Sequence, residues 1–297
     1  VRGKLTAPLR LVLYSTDGLG KSTFASNAPA PIFIGAEDGT AQLDVARMPD
    51  VATWDDILES VEELATTEHG FQTLVLDTAD WAEPLCWAHV AKAAKKENIE
   101  DLAYGKGYAA ALDQWRVLLS KMERARARGM HIIILAHSII RTFKNPVQEV
   151  GDFDRWEMKL HTKASGLLRE WADVVLFGSY ETFTVTDDKK RTRGISTGAR
   201  LVHTERTAAY DAKNRHALPP TLPLDWEAFA GAVAAHQPAS PAKLRERIAA
   251  LLENAPEELR VRVNAAVAKA GDDAALLARI ENKLSAEANI QAQETAK

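Results

Sequence analysis

The sequence predicts an α/β fold: a mostly parallel sheet flanked by helices, a β-hairpin extension, and a small helical appendage at the C-terminal end. Short runs of β-branched and aliphatic residues alternate with helical patterns as far as residue 180. Beyond that point the texture changes to polar, strand-like repeats, and finally to alanine-rich, charged helix.

The strand runs are "LRLVLY", "PIFIGAE", "TLVLDT", "HIIILAHS" and "DVVLFGSYE". Continuous apolar runs of this length suit strands buried on both faces of a parallel sheet. Between them, "KSTFASNA", "TWDDILESVEELATTE", "EPLCWAHVAKAA" and "YAAALDQWRVLLSKMERARARG" have helical spacing, and Gly129 closes the last of these. The stretch "ETFTVTDDKKRTRGISTGARLVHTERTAAYDAKNR" reads as hairpins that extend the sheet. Proline punctuation in "LPPTLPLDW" precedes a short helix through Ala235. The expected organisation is a core over residues 1–235, a linker at 236–243, a helical appendage at 244–285 and a disordered tail at 286–297.

Composition bounds the function. Charged residues are 26% and hydrophobic residues 46% of a 297-residue chain, an ordinary globular balance. A net charge of −4 argues against a protein that coats nucleic acid by bulk electrostatics, but allows a local basic path. The single cysteine, Cys86, excludes an internal disulfide framework and a cysteine-rich zinc site, and reads as a small buried hydrophobe. No apolar stretch has bilayer-spanning length and no signal-peptide pattern is seen, so the expected location is cytoplasmic with no membrane association.

The first strand runs into "STDGLGKST", that is Ser15, Thr16, Asp17, Gly18, Leu19, Gly20, Lys21, Ser22 and Thr23. A strand, a glycine-rich turn and a helix direct backbone N–H groups at one point, which suits a polyphosphate. Gly18 and Gly20 allow close approach, Lys21 reaches the terminal phosphates and Ser22 holds Mg²⁺. The pattern G-x-x-x-x-G-K-[ST] wants glycine where this chain has Ser15, and a plain tight turn is the alternative.

Other strand ends carry polar groups as well. "TLVLDT" ends in Asp77, a Mg²⁺-side acid, with Asp80 one turn on. "PIFIGAE" ends in Glu37, with Asp38 beside it; either could deprotonate water or be a solvated turn acid. "HIIILAHS" ends at His137, which could sense a γ-phosphate or cap the strand.

The order phosphate loop, "FIGAE", "LVLDT", "ILAHS" and "AKNR" resembles the RecA-type recombination ATPases. "GKSTFASNAPAPIFIGAEDGT", "DTADWAEPL", "YGKGY" and "LAHS" look more closely like the phage-encoded single-strand annealing proteins of the Sak group, over residues 8–230. The resemblance implies a RecA-type P-loop core that binds ATP and Mg²⁺, hydrolyses ATP and acts on single-stranded DNA. It implies catalytic roles for Lys21, Glu37 as water-activating base, and His137 as the link to the following loop. It also implies that Lys213 and Arg215 enter a neighbouring subunit's ATP site, which requires assembly into a ring or filament. A solvated basic hairpin edge is the plainer reading of those two.

The same resemblance places DNA at "LAYGKGY" and at "SIIRTFKNPVQEVGDFDRWEMKLHTKAS". The first offers Lys106 and Tyr108; the second offers Arg141, Lys144, Arg155, Lys159 and Lys163 interleaved with Phe143, Phe153 and Trp156. Cations meet phosphates and rings stack on bases, although acids punctuate the stretch and a flexible surface loop competes with this reading. The expected function is a DNA-dependent ATPase promoting single-strand annealing or homologous recombination, with a single-strand-binding protein as a candidate partner. The alternatives are a RecA-core DNA motor, either helicase or packaging ATPase, and an ATP-gated DNA-binding module with little turnover.

Overall fold

The computed structural model describes residues 7–37, 39–145, 151–186, 192–236, 241–253, 255–273 and 276–285. Of the expected linker at 236–243, residues 237–240 lie outside the described ones, while His236 ends one helix and Pro241 starts the next; the tail from 286 also lies outside them. The chain divides into two compact units, Ala7–Val233 and the residues from 234 onward.

The larger unit opens with β1 (Arg10–Ser15), α1 (Lys21–Ser26), β2 (Pro31–Gly35), β3 (Ala46–Arg47) and α2 (Trp54–Thr66). Next come β4 (Thr73–Asp77), α3 (Ala79–Ala93), α4 (Lys106–Ala127), β5 (His131–Phe143), β6 (Phe153–Met158) and α5 (Thr162–Trp171). It closes with β7 (Val174–Thr186), β8 (Thr192–His203), β9 (Lys213–Asn214), β10 (Thr221–Pro223) and α6 (Trp226–His236). The main path of the sheet is β10-β8-β7-β1-β5-β4-β2-β3. From β7 to β3 the strands are parallel; β8 and β10 add antiparallel strands at one edge. The fold is thus the mostly parallel α/β sheet with a hairpin extension that the sequence predicts.

Both faces of the sheet are covered, which explains the unbroken apolar runs. Along β1, Val12 and Tyr14 face one core while Leu11 and Leu13 face the other. The first core holds α2 to α5, where Trp54 and Trp115 meet edge to face at 5.3 Å. Such a pair adds about 1 kcal/mol beyond its buried area. The second core holds α1 and α6, where Phe24 packs on Trp226 and Phe229. The parallel strands therefore end together, with β1, β2, β4 and β5 delivering Ser15, Gly35, Asp77 and His137 to one sheet edge.

The smaller unit contains α7 (Pro241–Leu252), α8 (Glu257–Ala270) and a further helical run over 276–285. Leu244, Ile248, Val263, Leu277 and Leu284 form its own core. Asp273 accepts a hydrogen bond from the Leu276 N–H, a helix-capping contact at the start of the last run. No helix among the described residues is long and apolar enough to cross a membrane.

Candidate functional site

Between β1 and α1 the chain turns through Thr16–Gly20, with Gly18 at φ 66° and Gly20 at φ 107°. A side chain at either position would be strained, so these two glycines are set by the backbone path. Lys21 is 5% exposed and its Nζ donates to the Thr16 carbonyl at 3.3 Å, folding the ammonium back over the loop. Burial lowers its pKa, against the opposing pull of Asp77 and Glu37.

Ser15 is fully buried, and its hydroxyl donates to the Thr16 carbonyl at 2.8 Å. Its register partner on β7 is Gly178. A Cβ at 178 would stand 3.1 Å from the Ser15 Cβ and 2.6 Å from Leu19 Cδ2. Glycine on the neighbouring strand therefore makes room for the serine that breaks the loop pattern. Arg200, on β8, donates Nη1 to the Leu19 carbonyl at 3.1 Å and braces the loop from outside. Neither Gly178 nor Arg200 carries a local sequence signal for this role.

Asp77 is completely buried beside the loop. One carboxylate oxygen accepts from the Ser22 hydroxyl at 2.7 Å, while Oδ1 has no hydrogen-bond partner. Burial raises its pKa, opposed by Ser22 and Lys21. An unsatisfied carboxylate oxygen is costly to bury, and one aligned with a serine hydroxyl fits a hydrated Mg²⁺. No cluster of three or more His, Cys, Asp or Glu suited to a metal occurs among the described residues, so a cation here would also need phosphate ligands.

Glu37 follows β2, and its backbone N–H donates to the Asp77 carbonyl at 3.3 Å. Its carboxylate lies 3.5 Å from the Thr78 hydroxyl, and burial raises its pKa while His137 opposes the shift. Asp38 lies outside the described residues. His137 takes hold of Asp80: the backbone N–H donates to Oδ1 at 2.8 Å, and ring Nδ1 lies 2.9 Å from Oδ2. That bond raises the imidazole pKa against desolvation. Lys21, Ser22, Asp77, Glu37 and His137 thus meet at one sheet edge, and Asp80 joins them.

The DNA candidates divide. The stretch after His137 is no irregular loop, because β5 runs on to Phe143 and pairs antiparallel with β6. The connection at 146–150 lies outside the described residues. Lys106, Lys144 and Lys163 are exposed, Lys159 is 57% exposed, and Arg141 is half-buried with Nη2 on the Leu160 carbonyl. Arg155 is a correction. At 3% exposure it lies 3.4 Å from Asp211 and under the Phe143 ring, so it cannot meet a phosphate. Tyr108 is half-buried: one face stacks on His161 at 4.7 Å, and Trp87 packs against it at a right angle. The open rings nearby are Tyr104, which is 99% exposed, and Trp81 on the first turn of α3.

Arg155→Ala is therefore expected to lower stability by about 1 to 2 kcal/mol, through lost packing under Phe143 and a weakened ion pair, since Asp211 keeps Arg169 and Arg206. Chemical denaturation measures this, and an unchanged midpoint would contradict the buried role.

Lys213 and Arg215 do not approach Lys21 of their own chain. β9 pairs with the first residues of β7, so they sit at the opposite sheet edge. Lys213 Nζ donates to the Arg169 and Glu170 carbonyls, each at 2.8 Å, and Arg215 lies 3.3 Å from Asp173.

Comparison with known proteins adds a family. Residues 7–216 match the sequence profile described as AAA domain. Among solved structures, the crystal structure of the RadB recombinase aligns with a TM-score of 0.38 at 15% identity, covering 67% of this chain and 82% of that chain. No curated protein matches.

Proposed function

This chain belongs to the AAA domain family of P-loop NTPases, and from that premise we propose that it is an ATPase that assembles on single-stranded DNA and promotes annealing or homologous recombination. The observation that carries the proposal is the convergence at one sheet edge of Lys21, the Ser22–Asp77 pair, Glu37 and the Asp80–His137 pair. Nucleotide-binding loops are common, but the surrounding acids and imidazole are what hydrolysis needs.

The glycine turn lets backbone N–H groups approach the polyphosphate, and Lys21 places a cation on its outer oxygens. Ser22 and Asp77 would hold Mg²⁺, which supplies neutralisation of phosphate charge when bound with ATP. Glu37 accepts the proton of the attacking water, and its burial makes it a stronger base than an exposed carboxylate. As the imidazolium that its bond to Asp80 favours, His137 donates from Nε2 toward the terminal phosphate.

For DNA, the support is placement. The β5–β6 hairpin grows directly from the strand that carries His137, and Lys144 after β5, Lys159 just past β6 and Lys163 on the first turn of α5 are accessible cations. Lys213 and Arg215 sit at the opposite sheet edge from their own phosphate loop. Cations so placed would serve the ATP site of an adjoining subunit, acting on the transition state as fingers in trans.

Complementary oligonucleotides test the proposal. The protein with ATP should speed their annealing over the spontaneous rate. An unchanged annealing rate together with ATP-driven unwinding of a duplex would replace this reading with a motor.

A further inference from the structure

Asp80 spends its charge chiefly on one histidine, with Thr78 as a lesser side-chain partner. Its side chain is 2% exposed. Both carboxylate oxygens are committed to His137, one to the backbone N–H at 2.8 Å and one to ring Nδ1 at 2.9 Å. The nearest formal cation besides the ring is Lys159 Nζ at 4.0 Å, on a side chain that is 57% exposed. A carboxylate is buried this deeply only where partners offset its desolvation, and here the His137 ring and backbone N–H lead, with Thr78 adding to them.

The geometry fixes the ring. An acceptor on Nδ1 places a proton there and sets which way the imidazole faces. The opposite nitrogen, Nε2, makes no hydrogen bond among the described residues. His137 is the register partner of Ser15, so the ring stands at the mouth of the phosphate loop. Lys21 from α1, Glu37 after β2, Asp77 from β4 and Asp80 from α3 are the charged groups around this corner. Lys159, whose backbone N–H donates to the His137 carbonyl at 2.8 Å, joins it from the end of β6.

We propose that Asp80 is a positioning residue for ATP hydrolysis, holding His137 with its Nδ1 proton inward and its Nε2 turned to the terminal phosphate. This rests on the ATPase reading and adds to it a residue acting through the histidine, as a buried aspartate orients the imidazole of a hydrolytic triad. Because Lys159 touches both partners, the pair also lies at the root of the β5–β6 hairpin. A strand drawn to that hairpin would act on the ring through one side chain.

The test has two arms. In the first, ATP affinity and kcat are measured for Asp80→Asn, His137→Ala and the double variant. Asp80→Asn should keep ATP affinity and lose roughly tenfold to a hundredfold in kcat. The double variant should be no slower than His137→Ala alone, because Asp80 acts only through the ring. Losses that multiply would overturn the proposal, since they would mean that Asp80 acts by another route.

The second arm needs no turnover. Imidazole ¹⁵N chemical shifts of the nucleotide-free wild type should show His137 protonated on Nδ1, and Asp80→Asn should disturb that state. A wild-type ring unprotonated on Nδ1, or one indifferent to Asp80→Asn, overturns the proposal even if the variant hydrolyses ATP slowly. A wild type without any turnover would overturn the ATPase reading instead, and the ¹⁵N shifts would still decide the role of Asp80.

Discussion

Lys21→Ala is expected to abolish ATP binding, with affinity falling at least about a hundredfold, roughly 3 kcal/mol. Lys21 is the loop's own cation, and its Nζ already lies over the turn, 3.3 Å from the Thr16 carbonyl. Phosphate oxygens lose a charge-assisted partner when it goes, and such bonds are about twice as strong as neutral ones. The fold should not suffer. Burial disfavours the Lys21 ammonium in the free protein, as its lowered pKa shows, so alanine there removes a desolvated charge. Calorimetric titration with a non-hydrolysable ATP analogue, paired with thermal unfolding, measures both effects. Unchanged affinity in a folded variant would remove the phosphate site as drawn.

Glu37→Gln should keep ATP and lose turnover, with kcat falling on the order of 10² to 10³-fold, because an amide cannot take a proton from water. The effect has a pH signature. Burial raises the Glu37 pKa above that of an ordinary carboxyl, and the base works only when ionised. Hydrolysis should therefore rise with pH along a limb displaced upward from the usual carboxylate range, and glutamine should erase that limb. Single-turnover hydrolysis across pH checks both points. If Asp38→Asn stops hydrolysis while Glu37→Gln does not, the base is the next residue along.

What was legible in the sequence was local or periodic. Apolar runs buried on both faces announce themselves, and so do Gly18, Gly20, Lys21 and Ser22, whose spacing is their function. Strand ends such as Asp77 and His137 could be found because each closes a run. The rest depended on contacts across the fold. That Ser15 fits its loop is decided by Gly178 on another strand, and Arg200 reaches Leu19 across 181 positions. Arg155 looked like a phosphate contact because cations and rings interleave around it, yet Asp211, far along the chain, claims its charge. The stacking of Tyr108 on His161, on the approach to α5, likewise has no local sequence signal. Asp80 stood in plain view, but nothing in a one-turn spacing from Asp77 says that both of its oxygens belong to His137.

The central claim, an ATP site wired to a single strand, is tested most directly by one measurement: steady-state hydrolysis of Mg-ATP by the full chain with and without single-stranded DNA. Hydrolysis that is slow alone and rises several-fold as the strand saturates the protein, with the rise lost in Glu37→Gln, is the predicted result. Equal rates with and without a strand that demonstrably binds would contradict it.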